Sequence, residues 1–158
     1  MNPYAPPEAT VKDLPAQGGS AFKAVAFGLA ADIGGTFLAG IVLALVYGVV
    51  LGASGASTEE IVASTRAIGT DSWLFYAGTL VGLACSVLGG YVCARIARRD
   101  EMKLGAILAG LTALIGILFS GEDYQLGTLA SLTLAGIGAV MIGARLGNTK
   151  NRGTTGTK

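Results

Sequence analysis

Residues 22–52 read FKAVAFGLAADIGGTFLAGIVLALVYGVVLG, and this run decides the fold. A membrane-spanning helix needs about 20 mostly apolar residues, and this one has them with room to spare. It carries one carboxylate, Asp32, roughly a third of the way in. Taking every fourth residue from Ala24 gives Ala24, Gly28, Asp32, Thr36, Gly40, Ala44, Gly48 and Gly52. Small residues at that spacing mark the side of a membrane helix that meets another helix closely. An ionisable group inside such a segment is costly, and counts by default as a functional-site hypothesis.

Three further runs repeat the pattern. Residues 73–98 place Gly78, Gly82, Ser86, Gly90 and Ala94 at four-residue steps, behind the interface aromatics Trp73, Phe75 and Tyr76. Residues 104–120 include Gly105, Ala109, Ala113 and Gly116, and residues 125–146 carry Gly127, Ser131, Ala135, Ala139 and Gly143. The fold class that follows is all-α: a polytopic membrane protein built as a four-transmembrane-helix bundle with short loops. Thirty residues at 1.5 Å each make the first helix (22–51) about 45 Å long, against a hydrocarbon core of about 30 Å. It must tilt, extend past the membrane, or break near Asp32-Ile33-Gly34-Gly35, where paired glycines permit a kink. The third helix, at about 25 Å, is slightly short.

Gly28, Gly40, Gly48, Gly78, Gly82, Gly90, Gly127 and Gly143 are the expected helix-packing positions. Each four-residue step drifts about 40° around a helix of 3.6 residues per turn. The whole first stripe therefore cannot face one straight neighbour. It suits right-handed crossings or different partners at its two ends. Packing within one bundle and contact with a second copy both remain open.

Composition narrows the function class. The chain of 158 residues is 52% hydrophobic and 13% charged, where soluble chains average about 25% charged. Its net charge of +1 lacks the basic excess of a nucleic-acid binder. There is no histidine, so the usual general base and the usual metal ligand are both missing. No phosphate-loop, dinucleotide, zinc or nucleophile-elbow motif occurs, and the serines and threonines have no base partner. The expectation is a non-enzyme with no metal and no cofactor. Cys85 and Cys93 stand about 12 Å apart along one helix, beyond disulfide reach, and read as small packing residues.

The expected domain plan is a disordered Pro-rich tail over 1–20, a transmembrane domain over 21–147 and a disordered basic tail over 148–158. All four prolines, Pro3, Pro6, Pro7 and Pro15, fall in the first of these. Its apolar run is too long for a cleaved signal, so the segment reads as retained. Within the one sizeable loop, Ser57-Thr58-Glu59-Glu60 has the form of a capping box, opening a short helix through Ile61, Val62, Thr65 and Ile68 that would lie on the membrane. Ten of the 11 lysines and arginines lie in or beside the two tails and the central turn: Lys12, Lys23, Arg95, Arg98, Arg99, Lys103, Arg145, Lys150, Arg152 and Lys158. The opposite loops hold Arg66 beside Glu59, Glu60, Asp71, Glu122 and Asp123. The positive-inside rule puts both termini in the cytoplasm, in agreement with an even number of spans. Arg95, Arg98, Arg99 and Arg145 are read as topology determinants that snorkel to lipid headgroups.

Asp32 admits three readings. It is protonated or hydrogen-bonded where it is buried, with Thr36 one turn away as the nearest partner; or it pairs with a cation, Arg95 or Arg145; or it titrates during proton- or ion-coupled transport.

The opening Asn2-Pro3-Tyr4-Ala5-Pro6-Pro7 resembles a tail found on small bacterial inner-membrane proteins, some of the RDD family among them. In that family the first membrane helix carries an aspartate soon after a basic residue. Ala31-Asp32 resembles that position, with Lys23 where an arginine would stand. The family's later motifs are not apparent, so the resemblance covers the tail and first helix. With Gly89 to Arg95 (GGYVCAR), the layout also resembles uncharacterised four-helix bacterial membrane proteins. Both resemblances imply a bacterial cytoplasmic (inner) membrane and no particular activity.

The leading functional expectation is a structural or interaction protein. It would be a small accessory or packing subunit whose partners are the lipid bilayer and either itself or a larger membrane protein. The alternative is a proton- or cation-coupled small transporter or channel using Asp32. Lipid or membrane-stress sensing through the loop helix is a third idea, resting on residues 61–68.

Overall fold

The computed structural model describes residues 19–120 and 125–155, without the side chains of 153–155. Most of the Pro-rich tail (1–18), the turn at 121–124 and the end of the basic tail (156–158) lie outside the described residues. The described elements are helical: α1 (Ala21–Leu29), a π-helical turn (Ala30–Gly34), α2 (Gly35–Ala53), α3 (Thr58–Arg66), α4 (Trp73–Ala97), α5 (Glu101–Phe119) and α6 (Leu126–Thr155). α1, the π turn and α2 form one continuous span of 33 residues, Ala21–Ala53. Together with α4, α5 and Leu126–Arg152 of α6, this makes four helices long and apolar enough to cross a membrane. That is the build of a multi-pass membrane protein. Large apolar side chains such as Leu45, Leu80, Leu118 and Leu134 point outward, as a lipid solvent requires.

Three helices begin on a serine cap. Ser20 caps α1 through the Lys23 amide, and Ser72 caps α4 through the Leu74 amide. The capping box of α3 forms as its sequence dictates. The Ser57 amide donates to Glu60 Oε2 at 2.8 Å, and the Glu60 amide donates to Ser57 Oγ at 3.3 Å. α3 lies back against the end of α2, with Ile61 over Gly48 and Gly52. The α4–α5 reversal uses two left-handed residues, Arg98 (φ 54) and Asp100 (φ 53). Lys103 pairs with Asp100 across the first turn of α5 at 3.1 Å.

The expected break in the first span is a π turn rather than a glycine kink. It accommodates Asp32 without interrupting the backbone ladder, since the Gly35 amide still donates to the carbonyls of Ala31 and Asp32. Such single-turn bulges often occur at functional sites.

α4 is the centre of the bundle and packs most extensively on α6, then on α1. α4 and α6 run parallel, with the Gly90/Ala94 pair of one set into the Gly143/Gly147 pair of the other. A Cβ at Gly90 would overlap the Val140 carbonyl, and one at Gly143 would overlap that of Val87. These glycines allow backbone-to-backbone approach, which supplies the dispersion that holds helices together in lipid. Ala24, Cys93, Ala97, Leu108, Ala109 and Val140 form the buried core. Every one of them lies in the half of the bundle nearer the basic end.

One expectation is corrected here. The basic tail expected to be disordered from 148 is helical as far as Thr155. Asn151 is the reason. Its Nδ2 donates to the Ala94 carbonyl at 2.9 Å and to Glu101 Oε1 at 3.2 Å, and its Oδ1 accepts from Arg95 Nη1 at 3.0 Å. One amide thus ties α6 to the end of α4 and the start of α5. The extra helical turns therefore have tertiary support.

Candidate functional site

The π turn directs Asp32 inward toward α4, where it is 4% exposed and the one buried charged or polar residue among those described. Ser86 Oγ donates to Asp32 Oδ1 at 2.8 Å. This bond can form because α4 approaches the first span over glycine. Cβ positions built on Gly28 and Gly89 fall within 3.0 Å of the facing helix, Gly28 against the Gly89 carbonyl and Gly89 against Asp32 Cβ. A side chain at Gly89 would push α4 off the carboxylate.

Asp32 stands at the inner end of a cavity of about 830 Å³. Along α4 the lining runs from Leu74 to Ser86, a length of about 18 Å at 1.5 Å per residue. The walls come from the π turn and the start of α2 (Ile33, Thr36, Phe37), from α4, from the second half of α5 and from the first half of α6. Leu74, Phe75, Phe119 and Ser120 lie at the outer end, on the side of the bundle that carries α3 and the acidic loop. Below Asp32 the helices close on the core of Cys93, Leu108 and Val140. The cavity is closed below the carboxylate and open above it, including at the side, where α2 packs on α4 and α3 but scarcely on α5 or α6. It reaches from the acidic end to mid-span and stops at the carboxylate.

Three of the lining residues are glycines whose Cβ positions meet nothing within 4 Å: Gly78 on α4, Gly116 on α5 and Gly136 on α6. Where the same residue type at Gly90 and Gly143 draws backbones together, here it leaves space. Most lining hydroxyls are turned back on their own helices. Thr79 donates to the Phe75 carbonyl at 2.8 Å, Thr133 to that of Leu129 at 2.8 Å and Thr112 to that of Ala109 at 3.2 Å.

The expected site residues are distributed as follows. Asp32 and Thr36 line the same cavity, but the carboxylate's partner is Ser86 on the second span, not Thr36. Arg95 engages Asn151 at the basic end, and among the described residues no ion pair reaches Asp32. Arg98, Arg99 and Arg145 are exposed. Gly28, Gly90 and Gly143 sit against neighbouring backbone, Gly82 faces Thr36 at ordinary contact distance, and Gly48 faces Ile61. The Cβ positions of Gly40, Gly78 and Gly127 meet nothing within 4 Å. Ser86 was legible only as a member of the α4 stripe. The signal that singles it out is a hydroxyl among glycines, at the depth where the opposite stripe carries its carboxylate.

Chemically, Asp32 retains one oxygen, Oδ2, not committed to Ser86. The arrangement can hold a proton or a cation at the floor of a largely apolar chamber. Comparison with known proteins found no matching family model, no matching curated protein and no matching solved structure.

Proposed function

We propose that this chain is a small transporter or channel of the bacterial cytoplasmic membrane in which Asp32 exchanges a proton or a cation. Asp32 carries the proposal: a buried carboxylate with no cationic partner among the described residues, at the closed end of a cavity that reaches one face of the bundle. Ionisable residues inside membrane spans mark substrate, proton and ion pathways. The two faces of the bundle are unlike in the way coupling needs. The acidic end leads to Asp32, and the basic end is closed by close-packed glycine and alanine. Both termini are assigned to the cytoplasm on the bias of basic residues, which makes the cavity outward-facing. The resemblance of the tail and first helix to RDD-family proteins supports the bacterial location.

The test is proton or cation flux in proteoliposomes under an imposed potential, with the parent chain beside Asp32→Asn. The parent is expected to conduct and Asp32→Asn to lose the flux. Equal flux in both, or none in either, removes the proposal. A second reading, the accessory or self-associating packing subunit, draws on Gly40 and Gly127, where a Cβ meets nothing within 4 Å among the described residues. Native mass in mild detergent tests it, since a monomer with no co-purifying protein counts against it.

A further inference from the structure

The polar groups around the cavity are of one kind. The hydroxyl protons of Thr79, Ser86, Thr112, Ser120 and Thr133 are all donated within the protein, to helix carbonyls or to Asp32. What these side chains present to the chamber is therefore lone pairs. Asp32 adds carboxylate oxygen, and no lysine, arginine, asparagine, glutamine or tryptophan among the described residues lines the space. Of the lining hydroxyls, only that of Thr36 has its proton uncommitted. An anion entering here would lose its hydration and find almost no donor, a penalty that buried polar groups do not tolerate. A donor-rich cation would find acceptors, and three aromatic rings, Phe37, Phe75 and Phe119, add faces that attract positive charge.

The walls between these groups are apolar, and the chamber is far larger than a bare metal ion or hydronium requires. Shape and chemistry together specify a molecule with a donor-bearing positive head and a hydrocarbon body. We infer that the cavity binds an amphipathic ammonium compound, its head on Asp32 and its apolar part running toward Phe119. The inference deepens the transport reading and rests on Asp32 being the working group of that reading. The ammonium has two conceivable sources, a free alkylamine or the headgroup of an ethanolamine phospholipid. Their shared chemistry is a protonated amine with N–H donors.

Equilibrium binding of radiolabelled decylammonium to the full chain in phosphatidylcholine nanodiscs tests this, with empty discs as baseline. Decanol and decanoate serve as probes of equal chain length. Saturable decylammonium binding at least tenfold tighter than either is expected. Asp32→Asn should weaken it at least tenfold. Gly136→Leu, which adds bulk to open cavity space without removing the carboxylate, should reduce binding while leaving helicity and monodispersity unchanged, so the test stands even if Asp32→Asn misfolds. Decanol or decanoate binding as tightly as decylammonium overturns the inference, as does undiminished binding in well-folded Gly136→Leu. Competition by added ethanolamine phospholipid bears the inference out with lipid as the source, and retained binding without competition bears it out with a free amine. Ion flux lost in Asp32→Asn with no ammonium binding by the parent would refute the ligand class alone, whereas absent flux refutes the transport reading.

Discussion

At the basic end of the bundle, Gly28, Gly90 and Gly143 lie against the backbone of a neighbouring helix; at the acidic end, Gly78, Gly116 and Gly136 face open space. The two halves use one residue type to opposite effect. In the first, loss of a side chain lets carbonyls of adjacent helices approach, and small residues such as Ala24, Ala97 and Ala109 complete a dry core. In the second, the helices stand further apart and the missing side chains become volume. A four-residue small stripe thus determines only that a helix face is smooth. Whether that face closes on a neighbour or borders a cavity depends on how far the helices have diverged at that depth. Asp32 lies at the boundary between the two regimes.

Substitutions that treat the two halves alike should therefore produce unlike results. The largest effect is expected for Gly90→Leu or Gly143→Leu. Each inserts a side chain into a neighbour's backbone, and overpacking of this kind costs about 1–3 kcal/mol or more. Thermal unfolding in detergent should show a strong loss of stability or no folded protein. Gly136→Leu, in the cavity half, should unfold within a few degrees of the parent. Equal destabilisation at both sites would erase the contrast between the halves.

Ser86→Ala probes the boundary itself. Interhelical hydrogen bonds in membranes are worth about 0.6 kcal/mol on average and up to about 2, so the stability change should be small. Its larger consequence should be functional, since Asp32 Oδ1 loses the Ser86 hydroxyl donor. A shift in the pH profile of flux with near-parental unfolding is the expected signature, and an unchanged profile would remove Ser86 as a positioning residue.

The smallest effect lies outside both halves, at the start of α3. The Ser57 backbone amide, with help from its hydroxyl, holds the Glu60 carboxylate below the ordinary glutamate range. A depressed folded-state pKa contributes stability above the unfolded value, near about 4.3, and loses it as pH falls through the folded one. The protection factors of the Ser57 and Glu60 amides, with the intrinsic pH dependence of exchange divided out, should fall below about pH 4 and stay flat between about pH 6 and 8. Spreading of that change into α4 or α6 would mean that the loop helix is coupled to the bundle.

Much of this architecture was legible in the sequence, because the bilayer imposes length and hydropathy on every span. Asp32 stood out for the same reason. The Ser57–Glu60 capping box was equally readable, being a local pattern with a local outcome. Three features were not. The Asp32–Ser86 bond joins residues 54 apart in the chain, and nothing in either stripe specifies their register. The π turn carries Asp32 to that contact, and paired glycines at 34 and 35 pointed only to the neighbourhood. The helical extension through Asn151 depends on where α4 ends and α5 begins. Composition at 148–158 reads as polar tail, and only tertiary contact makes it helix.

The central claim is that the outer half is an accessible chamber ending at Asp32 and the inner half is closed. Single-cysteine variants in a chain with Cys85 and Cys93 replaced by alanine test it directly. Thr133→Cys lies on the cavity wall, and Val140→Cys replaces a residue that is 0% exposed, about two turns deeper on the same helix. A membrane-impermeant aminoethyl thiol reagent, added from the side that carries α3, should label Thr133→Cys and leave Val140→Cys unmodified. Equal labelling of the two, or failure to label Thr133→Cys from that side, would contradict the account.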